Sequence, residues 1–253
     1  VAEEAAAAFW NPAGLGGLKQ ASFSSSVSTL SLNRQASDAE LAWPLGGEGR
    51  AGTWSLAWTH FSLGNDFEGR SGDTSAYYSF GDDQNTYAMA YGRALTSWLL
   101  LGLSGKLYQH RIDTFNAWGG GLDLGLLLIP LPSLRLGVAA SDLLSSSRWD
   151  TGYEERFPVS LRIGLSVLFF KDFIQVSGQT TSVEGRNLTY QAGLELRFAK
   201  ILAARVGIQE LGFTFGGGIS VPLFNTRLSF DYAFSPDPLG AGDLQKFSLG
   251  LDF

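Results

Sequence analysis

Apolar side chains recur at every second position over nearly the whole of this chain. Leu122, Leu124, Leu126 and Leu128 alternate with Gly121, Asp123 and Gly125. Val159, Leu161, Ile163, Leu165 and Val167 alternate with Ser160, Arg162, Gly164 and Ser166, and residues 188–198 and 228–234 repeat the pattern. A period of two sends one set of side chains to one face of a strand and the other set to the opposite face. The segments are roughly ten residues long, the length a tilted strand needs to cross a bilayer.

The position of the charges separates a membrane barrel from a soluble sandwich. Lys106, Asp123, Arg135, Arg162, Glu195, Arg197, Arg205, Arg227, Asp231 and Lys246 all lie on the face opposite the Leu/Phe stripe. A soluble core would not retain them, whereas a barrel with its greasy face in lipid must turn them inward. A Lys or Arg at mid-depth on the lipid face costs about 2–4 kcal/mol. Composition agrees: only 17% of residues are charged, too few to coat a water-facing surface, while Gly reaches 32 residues and aromatics 13%. No apolar run attains the ~18–20 residues of a transmembrane helix.

Fourteen strand segments are expected, beginning near Leu18, Ser37, Ala51, Gln84, Trp98, Ala117, Leu134, Phe157, Asp172, Leu188, Ile201, Gly212, Asn225 and Asp243. The predicted fold is therefore all-β, a transmembrane antiparallel β-barrel over residues 18–253. If the first strand runs outward, the even connections (44–50, 93–97, 130–133, 170–172, 199–200, 222–224) are short and periplasmic. The long ones (62–83, 142–156, 235–242) are then extracellular, as in bacterial outer-membrane barrels with both termini in the periplasm. Trp43, Trp54, Trp58, Tyr87, Tyr91, Phe169, Phe170, Phe173, Phe198 and Phe234 gather near strand ends, where amphipathic rings suit the headgroup levels.

Both ends carry further signals. Phe247, Leu249, Leu251 and Phe253 share one face of the last segment, which stops on an aromatic. This resembles the C-terminal signal read by the barrel-assembly machinery, a reading that β-augmentation would accomplish. At the other end, Ala2 to Ala8 favours a short helix, Pro12 disfavours helix at Asn11, and Gly14, Gly16 and Gly17 permit tight turns. The stretch "VAEEAAAAFWNPAGL" resembles the N-terminal signature of the PorV/PorQ group of outer-membrane barrels, distant relatives of the FadL transporters of hydrophobic compounds. That resemblance implies a fourteen-strand barrel whose residues 1–17 enter the lumen as a hatch, with Asn11, Pro12, Ala13 and Gly14 against the wall. The Gly-rich stretch that usually precedes the motif is missing, so the sequence is expected to begin inside a longer mature protein. The chain is also short for the large loops or deep ligand pocket of FadL-type members.

Little in the sequence points to catalysis, a metal or a cofactor. The chain contains no cysteine and two histidines, His60 and His110, both near predicted outer strand ends; a hydrolase would place one beside a Ser and an orienting acid. Gly119–Gly121 and Gly216–Gly218 read as strand glycines, with neither a helix nor a Lys-Ser/Thr pair following them. The acidic balance, a net charge of −6, argues against nucleic-acid binding. Asp66, Glu68, Asp73, Asp82, Asp83, Glu154 and Glu155 are expected on a solvated outer face. Asp123, Arg135, Arg162, Glu195, Arg197 and Asp231 are expected to form an ion-pair network in the lumen that fixes the hatch, with a polar solute lining as the other reading. Two functions follow as expectations for a non-enzymatic barrel with outer-membrane lipid around it. The first, implied by the PorV/PorQ resemblance, is work through envelope or secreted protein partners in type IX secretion or surface assembly. The alternative is FadL-like passive transport of a hydrophobic ligand.

Overall fold

In a computed structural model, the described residues are 6–32, 34–46, 49, 51–63, 67–70, 77–199, 201–209, 212–236 and 242–253. A four-residue helix α1 (Ala7–Trp10) leads into a 3-10 turn (Pro12–Gly17). There follow β1 (Ser22–Thr29), β2 (Gln35–Pro44), β3 (Thr53–Ser62), β4 (Phe67–Arg70), β5 (Tyr77–Phe80), β6 (Asp82–Ala94), β7 (Leu99–Ile112), β8 (Phe115–Leu131) and β9 (Leu134–Trp149). The chain continues through β10 (Glu154–Glu155), β11 (Ser160–Phe169), β12 (Ile174–Val183), β13 (Thr189–Phe198), β14 (Leu202–Gln209), β15 (Gly212–Leu223), β16 (Thr226–Ser235) and β17 (Leu244–Asp252).

Fourteen of these strands pair antiparallel in sequence order, and β1 closes on β17 over eight residue pairs from Ser22↔Asp252 to Thr29↔Gln245. The sheet is thus a barrel, and closure removes its free edges. The remaining strands lie in the connections: β4 pairs with β5 as a separate hairpin, and β10 pairs with the end of β9. No helix among the described residues is long and apolar enough to cross a membrane.

The parity expected from the sequence holds around the wall. Leu103, Leu107, Leu124, Ile163, Val206, Ile219, Phe230 and Phe247 stand exposed on the outside. Their neighbours Ser104, Asp123 and Ser166 are buried on the inside. Exposed apolar side chains in such number would be a liability in water; a bilayer makes them the favoured surface. Trp43, Trp54 and Tyr91 are cross-strand partners at one level, and Trp58 and Tyr87 are partners at another.

Several boundaries differ from expectation. The first strand begins at Ser22 rather than near Leu18, because residues 12–17 are wound into the 3-10 turn. Residues 142–149, expected in a loop, extend β9 instead. They escape a period-two reading because the β8–β9 register shifts between Gly120 and Leu122 and again between Leu122 and Leu124. Asp142 and Leu144 adopt positive φ there, and such bulges interrupt alternation. The fifth connection is only residues 113–114, as tight as an inner turn, because β7 and β8 are themselves long.

Candidate functional site

The N-terminal segment packs on the inward face of β3 and β6–β8, near the ends joined by the short turns. Ala7, Ala8 and Leu15 are buried against Ala42, Ala57, Ala88 and Ala90, while Ala13 meets Leu100 and Leu127. The wall here is built of small residues so that backbone can approach backbone. A Cβ added at Gly92, Gly102 or Gly125 would overlap Pro12, Ala13, Leu15 or Asn11. Glycine is what permits that approach.

Asn11 has two roles. Its side-chain oxygen accepts from the Ala13 N–H at 3.1 Å, capping the 3-10 turn, and its amide donates to the carbonyls of Leu126 (3.0 Å) and Val138 (3.3 Å) on the wall. Pro12 supplies the turn's first residue, where no N–H is needed. Arg162, on β11, reaches the carbonyls of Trp10 at 3.2 Å and Phe9 at 3.5 Å, donates to Ser141 Oγ at 3.0 Å, and lies 5.6 Å from the Trp10 ring centre. It thereby serves carbonyls that a helix as short as α1 leaves unbonded. A cation seated on the indole adds a second contact.

Of the six charges singled out in the sequence, Asp123 stands on one side of the lumen, and Glu195, Arg197 and Asp231 meet on the other. On one side Lys106 bridges Asp123 (2.8 Å) and Asp142 (3.1 Å), the Tyr108 hydroxyl donates to Asp142 (2.6 Å), and the Asp142 N–H donates to Asp123 (2.9 Å). Asp123 is fully buried here. On the other side Glu195 pairs with both Arg197 and Arg205, and Arg205 pairs with Asp231. Arg197 also donates to Gln175 at 2.8 Å. Lys246 reaches Asp38 at 3.2 Å, with Ser26 on the same carboxylate and Ser24 on Glu40. Arg135 faces inward on β9, opposite Ser166 in the ladder. The expectation missed Asp38, Glu40, Tyr108 and Asp142; parity would have found the first three, but the bulges hide the last.

The histidines part company. His110 contacts Asp82 at 2.7 Å and packs on Trp149. His60 has outward parity, stacks on Trp58 and contacts Asn85 at 3.1 Å. Of the loop acids, Asp66 and Asp73 lie outside the described residues, and Glu154 approaches Arg148 at 4.0 Å. Among the described residues no group of three or more His, Asp or Glu is placed to hold a metal ion. Phe253, exposed, follows β17 and donates its N–H to Ala21 at 2.9 Å.

On the lipid-facing side, an apolar groove of about 700 Å³ crosses β1–β3 and β6–β8. Leu41, Leu56, Trp58, Met89, Leu107 and Leu122 stand around it. Gly105 leaves its floor open, for nothing lies within 4 Å of where its Cβ would be. The groove runs over the strands that hold the N-terminal segment on their inner face.

No family model matches the chain, and no curated protein matches it. Solved structures do. The toluene transporter TodX of Pseudomonas putida superposes with a TM-score of 0.64 at 13% identity, over 98% of this chain and 92% of that one. A FadL homologue of Pseudomonas aeruginosa gives a TM-score of 0.65 at 10% identity, over 100% and 94%. At such identities the likeness is one of fold: this chain has the barrel architecture of FadL-type outer-membrane proteins.

Proposed function

We propose that the protein is a passive outer-membrane transporter of small hydrophobic molecules, with residues 1–17 as its hatch and both termini in the periplasm. The observation that carries this reading is the apolar groove around Gly105. It is a concave recess in the lipid-facing wall, apolar except where the inward-facing Glu40 and Lys106 border it, over the strands that grip the N-terminal segment, and of a size suited to a small ligand. The described likeness to a toluene transporter supports it. It also favours transport over the partner-mediated secretion role implied by the PorV/PorQ resemblance. Phe247, Leu249, Leu251 and Phe253 are assigned to recognition by the assembly machinery, on the strength of their common face on the closing strand. Asn11, Pro12, Ala13 and Gly14 are assigned to hatch docking.

Uptake of radiolabelled toluene by cells expressing the chain tests the proposal. A Cβ at Gly105 meets no atom within 4 Å, so Gly105→Trp can set an indole in the groove, and uptake should fall to the level of cells lacking the protein. A Gly105→Trp variant that is inserted and folded, as judged by its shifted mobility when unheated, yet imports toluene at the wild-type rate would refute the groove as the route.

A further inference from the structure

The N-terminal segment occupies only one side of the lumen. The other side, formed by the inward faces of β12–β17, carries no large apolar residue along its centre. The inward side chains Gln175, Ser177, Gln179, Gln191, Gln209 and Thr214 stand around a chamber of about 430 Å³ that extends from the start of β12 toward the outer strand ends, with Leu165, Leu194, Val206, Ile208 and Phe215 also along its lining. A second cavity of about 710 Å³ opens at the inner-turn end, between Lys19 of the N-terminal segment and the wall residues Arg197, Arg227 and Asp252. The two cavities share two lining residues, Glu195 and Arg205. Those are the ion-paired residues at the centre of the Arg197–Glu195–Arg205–Asp231 cluster.

We propose that this side of the lumen is a hydrophilic passage for small uncharged, hydroxyl-rich solutes of about monosaccharide size, narrowed at the Glu195–Arg205 pair. It is a second route, separate from the apolar groove in position and in chemistry. The choice of solute follows from the lining. Each Gln side chain offers both donors and an acceptor, so a polyhydroxylic molecule can exchange its water contacts for wall contacts at little cost. An apolar molecule would strip water from these amides with nothing in return. The principal charges of the chamber are already matched: Glu195 and Asp231 by Arg205, and Lys246 by Asp38. Within the chamber an ion therefore finds no excess of opposite charge, as a ring of like charges would supply in an ion-selective pore, whereas the inner cavity, with Lys19, Lys171, Arg197 and Arg227 beside Asp172 and Asp252, is net positive.

The test is swelling of proteoliposomes containing the full chain in isosmotic glucose, with sucrose as the larger solute and empty liposomes as baseline. Wild type should admit glucose faster than sucrose. Gln191→Trp, which places an indole in the chamber, should reduce glucose entry to near baseline. Removing both members of the central pair, Glu195→Ala with Arg205→Ala, should raise it by roughly threefold, since the two side chains that narrow the passage are cut back together and the net charge is unchanged. Gly105→Trp should leave glucose entry unchanged, so failure of the groove reading and failure of this one are told apart. Folding of each variant is checked by its unheated mobility. The passage is overturned if wild type swells no faster than empty liposomes, if glucose enters only after the charge pair is removed, or if Gln191→Trp conducts as wild type does.

Discussion

Asn11 is the residue on which the N-terminal segment turns, since one planar amide caps the 3-10 turn and bonds two strands of the wall. Asn11→Asp separates the two functions. The acceptor for Ala13 survives, but the donors become a carboxylate facing the Leu126 and Val138 carbonyls. Docking should weaken by about 1–3 kcal/mol, the usual cost of a buried polar group stripped of its partner. Amide hydrogen exchange over residues 13–17 should rise accordingly while exchange in β7 and β8 is unchanged; equal protection in both proteins would mean that the amide contributes nothing. From the sequence alone Asn11 was prominent only through a motif resemblance, because a single Asn before a Pro has no periodicity to mark it. Its wall partners are main-chain carbonyls, which no side-chain pattern discloses.

At the scale of the strand, alternation is the whole argument, and β17 offers its sharpest trial. Leu249 pairs with Phe230 on the outer face, and Ser248, one residue earlier, pairs with Asp231 on the inner. Leu249→Arg should cost about 2–4 kcal/mol and Ser248→Arg far less, measured by urea titration of folding into lipid vesicles. Equal costs would mean that the outer face does not meet acyl chains. Alternation also explains which elements were legible beforehand. β11, β13 and β16 keep a period of two over most of their length, as β8 does from Gly121 to Leu126, and were recognisable at once. The outer half of β9 was not, because its two register shifts put Asp142 on the lumen side and leave Leu144 89% exposed. The same break hid the Lys106–Asp142–Tyr108 cluster, whereas the charges on β13 and β16 were found by parity. Which of those charges would meet was beyond the sequence, since it depends on stagger between staves.

The whole molecule is taller on one side. β7, β8 and β9 run 14, 17 and 16 residues, against eight for β1 and β14. Absence of native cysteine makes its orientation simple to read. With the termini in the periplasm, Thr114→Cys in the β7–β8 turn should react with a membrane-impermeant maleimide on intact cells, and Ser133→Cys in the β8–β9 turn only after the outer membrane is breached. The reverse pattern would invert the barrel. The packing of the N-terminal segment also bears on the order in which the chain acquires its shape. Its anchors, Leu126, Val138 and Arg162, lie 115, 127 and about 150 positions further along. Contacts so distant in sequence form slowly, because a long stretch of chain must be immobilised before any of them yields a return. The residues that lead the polypeptide therefore come to rest only after eight of its staves have been laid, so an unsettled start is built into every copy during biogenesis.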